Sequence, residues 1–222
     1  MSKIVHPYAH RLIILRDWKS RWFADPKKYV SYLKGDVLVR QYLEKKLRGN
    51  YISTIEIERS RKATKFIIRT SRPGLIIGRN GEGAEKLKVD ILKKMDNLKI
   101  PRPEDFKLEI VEVSNPEADA AIVAYMIAEG LEKRMPYRRV IKTIIEKVMN
   151  ARGVKGARVV LSGRLGGADI ARIEDLKRGS VPLQSFRADI DFKRERATLS
   201  YGVVGIKVWI YRGKIFSKKQ ET

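Results

Sequence analysis

The chain has 222 residues, no cysteine and a formal net charge of +22, from 48 Lys and Arg against 26 Asp and Glu. That length suits one large or two small domains with genuine cores. The missing cysteine excludes disulfides and thiolate metal sites, and the longest apolar run, Ala120 to Ala128, is too short to span a bilayer. A surface this basic repels itself unless a polyanion neutralises it, and nucleic acid is the polyanion that fits. The excess is spread out: residues 1–50 hold 12 basic and 4 acidic side chains, and residues 131–158 hold 9 and 2. Such a distribution points to a chain embedded in nucleic acid rather than one touching it along a single groove. The only N-terminal apolar run, Leu12 to Leu15, is too short for a secretory leader, so a cytoplasmic chain with no membrane partner is expected.

An irregular arm over 1–35 opens the chain, with cations and aromatics interleaved. Arg11, Arg16, Lys19 and Arg21 are candidates for phosphate contact beside Trp18, Trp22 and Phe23. The two tryptophans, four apart, either stack on bases or cover a core edge. His6 and His10 are also four apart but have no third ligand near them, so no metal site is expected. Asp36 reads as the cap of a helix from Val37 to Arg48, stopped by Gly49-Asn50. Alternation in Ser53 to Arg59 and Thr64 to Thr70 predicts two strands with Ile55, Ile57, Phe66 and Ile68 facing inward, joined by the basic turn Ser60-Arg61-Lys62-Ala63.

Next comes Pro73-Gly74-Leu75-Ile76-Ile77-Gly78-Arg79-Asn80-Gly81-Glu82-Gly83. Gly78 and Gly81 bracket a basic and a small polar residue. With no Cβ in the way, the backbone there can approach a nucleic-acid backbone, and the amides of the following helix favour negative charge. The spacing resembles the GXXG loop of a KH domain, which clamps about four nucleotides. A Walker loop is excluded because Gly83 is followed by Ala84 and Glu85 rather than Lys and Ser or Thr. A helix to Asn97 follows, and Pro101 and Pro103 break the chain before a third strand with Phe106, Leu108 and Ile110 on one side. The order helix, strand, strand, helix, loop, helix, strand is that of the type II KH fold, expected over 36–114.

A second α+β domain is expected over 115–212, with a short basic tail over 213–222. Asn115-Pro116 reads as the start of its first helix, with Ala118, Ala121, Ile122, Tyr125 and Ala128 as the buried stripe. Pro136 opens a second helix, to about Ala151, in which Tyr137, Val140, Ile141, Ile144, Val148 and Ala151 share one face. Arg138, Arg139 and Lys142 share the opposite face with Glu146 as the one nearby acid, so a polyanion contact is expected there. Four antiparallel strands follow: one around Val159 and Leu161, then Asp169 to Arg178, Phe186 to Phe192 and Val203 to Tyr211. Asp189 and Asp191 lie two apart on one strand, but Arg187 and Lys193 share that face. A salt-bridged surface is therefore expected rather than a catalytic site; no catalytic residue and no cofactor are assigned.

The runs Val159-Val160-Leu161-Ser162-Gly163-Arg164-Leu165-Gly166-Gly167-Ala168-Asp169-Ile170-Ala171-Arg172 and Tyr201-Gly202-Val203-Val204-Gly205-Ile206-Lys207 resemble signatures of the bacterial small-subunit ribosomal protein three family. Trp18-Lys19-Ser20-Arg21-Trp22-Phe23-Ala24 and the GXXG region match as well, in the same order. The resemblance implies a structural constituent of the small ribosomal subunit, seated in its head. It implies binding to small-subunit rRNA, with Arg164 and Arg172 as further contact candidates, and neighbours in small-subunit proteins ten and fourteen. It also implies that Arg138, Arg139 and Lys142 meet mRNA where it enters its channel. The chain departs from the family pattern Asn-Pro-x-Gly-x-Arg-x-Gly, reading His6-Pro7-Tyr8-Ala9-His10-Arg11-Leu12-Ile13 instead. It also carries Arg79-Asn80 where two lysines are common.

Overall fold

Ile55, Ile57, Phe66 and Ile68 turn one face of a sheet inward, as their alternation requires, and all four are buried. This sheet centres the first of two folding units in the computed structural model, which describes residues 5–60, 63–98 and 105–216. The unit spans Trp18–Ser114. Its strands are β1 (Ser20–Arg21), β2 (Ile52–Arg59), β3 (Ala63–Thr70) and β4 (Asp105–Glu112), in that spatial order. β1 runs parallel to β2, β2 antiparallel to β3, and β3 parallel to β4. Helices α1 (Pro26–Lys46), α2 (Pro73–Ile77) and α3 (Glu82–Asn97) supply Val39, Leu43, Ile76, Leu87, Ile91 and Met95 to the core.

α1 is longer than the sequence suggested. It starts at Pro26, whose fixed φ suits a first helical position, and Asp36 lies inside it, buried. Asp36 is not a cap. Its carboxylate accepts from Trp22 Nε1 at 2.7 Å and from the Arg59 guanidinium at 2.6 Å, and Arg59 itself lies over the Tyr32 ring. Residues 18–35 thus belong to this unit and not to a separate arm.

The second unit joins Asn115–Thr222 to Met1–Asp17. Asn115-Pro116 begins only a short 3-10 turn, Pro116–Ala118. The helix itself, α4 (Ala120–Glu132), is capped by Asp119, whose carboxylate accepts from the N–H groups of Ala121 and Ile122 at 2.8 and 3.2 Å. Residues 120–124 are all buried, so α4 is a core helix rather than one with a single apolar stripe. α5 (Tyr137–Asn150) follows Pro136 and buries Val140, Ile141, Ile145 and Val148. Both pack on a fully antiparallel sheet of β5 (Gly156–Gly163), β6 (Arg172–Gly179), β7 (Ala188–Leu199) and β8 (Gly202–Lys214), ordered β6-β5-β8-β7. Val159, Leu161, Val204, Ile206, Val208 and Ile210 form the helix-facing core.

β7 runs well past the expected Phe192, because β8 pairs with it as far as Leu199 opposite Gly202. The other sheet face carries Ile190, Trp209 and Tyr211, with Val160, Val181, Leu183 and Phe192 packed about them. The N-terminal segment lies here. His6 sets its ring edge on Phe192 with centroids 4.9 Å apart, and His10 stacks on Phe186 at 4.1 Å. Arg61, Lys62, Pro101, Pro103 and the tail beyond Phe216 lie outside the described residues. No helix among the described residues is long and apolar enough to cross a membrane.

Candidate nucleic-acid interface

α2 ends at Gly78, with φ 72°, and a 3-10 turn over Arg79–Gly81 leads into α3. Asn80 (φ 53°) and Gly81 (φ 85°) both occupy the left-handed region, which glycine and asparagine enter at the least cost. Asparagine in place of the family's commoner lysine therefore suits the backbone while removing a charge. A Cβ on Gly81 would meet no atom within 4 Å, so this side of the loop is open to a ligand. No side chain caps α3, which leaves its first amides pointing outward. Arg79 is exposed beside them.

Gly83, which sequence reasoning left without a role, is what closes the turn. A Cβ there would sit 2.6 Å from the Ile76 carbonyl oxygen and 2.9 Å from that of Ile77. The signal was present as a third glycine at spacing two after Gly81. Of the three apolar residues that run into the loop, Ile76 is buried, while Leu75 and Ile77 are exposed next to it.

The second cationic surface is the outer face of α5, where Arg138, Arg139 and Lys142 are all exposed. Glu146 does not offset them: it is ion-paired with Arg178 at 3.1 Å. Glu174 of β6 lies 3.5 Å from Arg138 and also accepts from the Tyr137 hydroxyl. Arg139 and Lys142 have no carboxylate partner among the described residues. Arg172 is exposed two positions along β6 from Glu174, so by strand alternation it shares the helix side of the sheet and extends this surface.

The arm cations do otherwise. Arg11 was expected to contact rRNA but is fully buried. Its Nε donates to the Ala188 carbonyl at 2.6 Å, and its terminal nitrogens donate to the carbonyls of Pro7 (3.0 Å), Leu183 (3.0 Å) and Ser185 (2.9 Å). Burial pulls this guanidinium below its ordinary pKa, with Asp189 opposing the shift and Arg16 adding to it. Arg16 pairs with Asp189 at 2.6 Å, and Arg21 bridges Glu56 and Glu58 at 2.9 and 2.5 Å. Lys19 is half-buried, its carbonyl accepting from the Ile57 N–H at 2.9 Å. Arg164 is tied to its own loop through Ala168 O (2.9 Å) and Asp169 (3.3 Å). Asp191 is a structural acceptor, taking the Ala120 N–H at 2.9 Å and a bond from Arg212 at 3.1 Å. Trp22 is partly buried, set against the Tyr29 and Tyr32 rings with its N–H on Asp36, while Trp18 is half exposed and Phe23 almost fully so.

An uncapped helix start behind an open two-glycine turn, on an α-β-β-α-α-β frame, defines a KH-type RNA-binding protein carrying a second α+β domain. Comparison with known proteins agrees. The KH domain family matches residues 38–118, and the family described as ribosomal protein S3, C-terminal domain, matches residues 127–210. The small ribosomal subunit protein uS3 of Pseudomonas aeruginosa is 42% identical over 221 residues, covering 100% of this chain and 93% of its own length. That of Caldicellulosiruptor saccharolyticus is 44% identical over 219 residues (99% and 96%), and that of Clostridium botulinum 41% over 220 (99% and 96%). The chain belongs to the uS3 family of small ribosomal subunit proteins.

Proposed function

We propose that this chain is a structural constituent of the small ribosomal subunit, working in the cytoplasm, where it binds small-subunit rRNA in the subunit head and contacts mRNA at the mouth of its channel. As in the rest of its family the role is structural and not enzymatic. The rRNA reading rests on the KH loop, whose open backbone and outward amides suit a phosphodiester. Small-subunit proteins ten and fourteen are the proposed protein neighbours.

The observation that carries the mRNA role is the pair Arg139 and Lys142, exposed on α5 without a carboxylate partner among the described residues. A passing polyanion supplies the missing charge, and attraction to phosphates is independent of base sequence, as a channel for any message requires. Replacing Arg138, Arg139 and Lys142 together by alanine leaves subunit assembly intact and slows translation of hairpin-bearing messages relative to unstructured ones. Equal rates on both messages would remove α5 from the mRNA path. Any opening of message structure is coupled to the ribosome, since the chain has no nucleotide-hydrolysis loop.

A further inference from the structure

Among the described residues, a packed apolar cluster covers one half of the sheet face turned away from α4 and α5. Trp209, Tyr211 and Ile190 fill the end beneath the N-terminal segment. Toward the turn between β7 and β8 no core cluster of the described residues covers the face, and strand alternation fixes what it presents: Arg194 and Arg196 on β7, Gly205 and Lys207 on β8, Ser162 on β5. Arg194 is registered directly opposite Lys207, and Arg196 directly opposite Gly205. All three cations are exposed.

Like charges directly opposite in an antiparallel pair destabilise the sheet. No carboxylate among the described residues relieves this pair. Asp175 sits in the same row, across Val160, but is held by Arg158 through two bonds of 3.0 Å. Asp191 and Glu195 of β7 lie on the helix side, Asp191 receiving the start of α4 and Glu195 registered opposite buried Ile206. Arg194 and Lys207 therefore have no carboxylate partner among the described residues. Arg194 is instead braced over the Phe192 ring, 5.5 Å from its centroid, which holds the guanidinium on this face.

We propose that this half of the sheet face is a second RNA-binding surface, gripping the phosphodiester backbone of small-subunit rRNA through the exposed Arg194, Arg196 and Lys207. The cations stand about 5 Å apart across strands and about 7 Å apart along β7. Beside them Ser162 lays its hydroxyl over Gly205, 3.5 Å from the Gly205 carbonyl oxygen, so the strip between the cations and β5 carries nothing larger than a serine. The inference rests on the rRNA-binding reading above but uses none of the residues of the KH loop or of α5.

Lys207→Glu separates the two roles of the pair. In the free chain it sets a carboxylate opposite Arg194, so the thermal midpoint holds or rises. Toward a full-length small-subunit rRNA transcript, the full chain carrying it loses two phosphate contacts, and the slope of log affinity against log salt falls by about 1.4–1.8. Arg194→Ala with Lys207→Ala gives the same loss of slope. Arg79→Ala in the KH loop lowers the slope separately and additively. A Lys207→Glu chain that is stabilised but keeps its full slope, while Arg79→Ala lowers it, overturns the sheet surface and leaves the KH reading standing. Failure of the unaltered chain to bind the transcript overturns both.

Discussion

Replacing Arg11 by alanine distinguishes a clamp from an RNA contact. The side chain spends four of its five N–H donors on carbonyls of Pro7, Leu183, Ser185 and Ala188. The bonds to Pro7 and Ala188 are buried, and a buried acceptor left without its donor costs about 1–3 kcal/mol. Those two bonds alone give about 2–6 kcal/mol; the partly buried carbonyls of Leu183 and Ser185 regain water and add less. The loss is capped by the free energy of docking the segment itself, since past that point the segment detaches while α4, α5 and the sheet stay folded. Limited proteolysis of the free chain is the assay: Arg11→Ala exposes the segment before residue 17 to rapid cleavage and lowers the thermal midpoint, by about 2–4 °C per kcal/mol for a chain of this size. Arg11→Lys restores only part, because an ammonium keeps the charge but not the planar fork. Unchanged proteolysis and midpoint, with weakened rRNA binding, would refute the clamp and return Arg11 to the RNA surface.

Three further outcomes follow from the same geometry. Gly83→Ala drives a methyl against the Ile76 and Ile77 carbonyls, costing about 1–3 kcal/mol by denaturant titration and lowering RNA affinity with it. Ile13 is exposed with φ 72°, in the left-handed region that costs a side-chain-bearing residue about 1–2 kcal/mol; Ile13→Gly therefore stabilises by about 0.5–1 kcal/mol after the entropy of glycine is set against it, read as a raised thermal midpoint. Asp36→Ala strands the Trp22 N–H and the buried Arg59 guanidinium, and the first unit loses about 3–5 kcal/mol, followed through tryptophan fluorescence.

The KH frame was legible because Ile55 and Ile57 on β2 and Phe66 and Ile68 on β3 alternate with charged or polar neighbours over most of their length, with buried Ile67 the exception, and because its glycines have few other uses. The basic face of α5 was legible because a 3.6-residue period separates Val140, Ile141 and Val148 from Arg138, Arg139 and Lys142. What failed was whatever depended on a partner distant in sequence. Asp36 looks like a cap by composition, and only Trp22 and Arg59 arriving from elsewhere turn it into a mid-helix acceptor. Arg11 sits among aromatics and cations as an RNA contact would, yet three of its four acceptors lie more than 170 residues away. The second half of β7 reads as polar on both sides, since Lys193 and Glu195 lie at the sheet edge on the helix side. Ile13 shows the converse: the family pattern places glycine there, and the positive φ supplies the reason.

As proposed above, the chain is an integral, multiply anchored part of the small subunit. Sedimentation of native lysate through a density gradient at low and high salt, probing for this chain, tests it most directly. An electrostatic binder with a handful of phosphate contacts loses orders of magnitude in affinity as salt rises a few-fold. A multiply anchored chain travels with the small subunit at both salt concentrations. Its release to the top of the gradient at high salt would contradict the claim and mark a peripheral RNA binder instead.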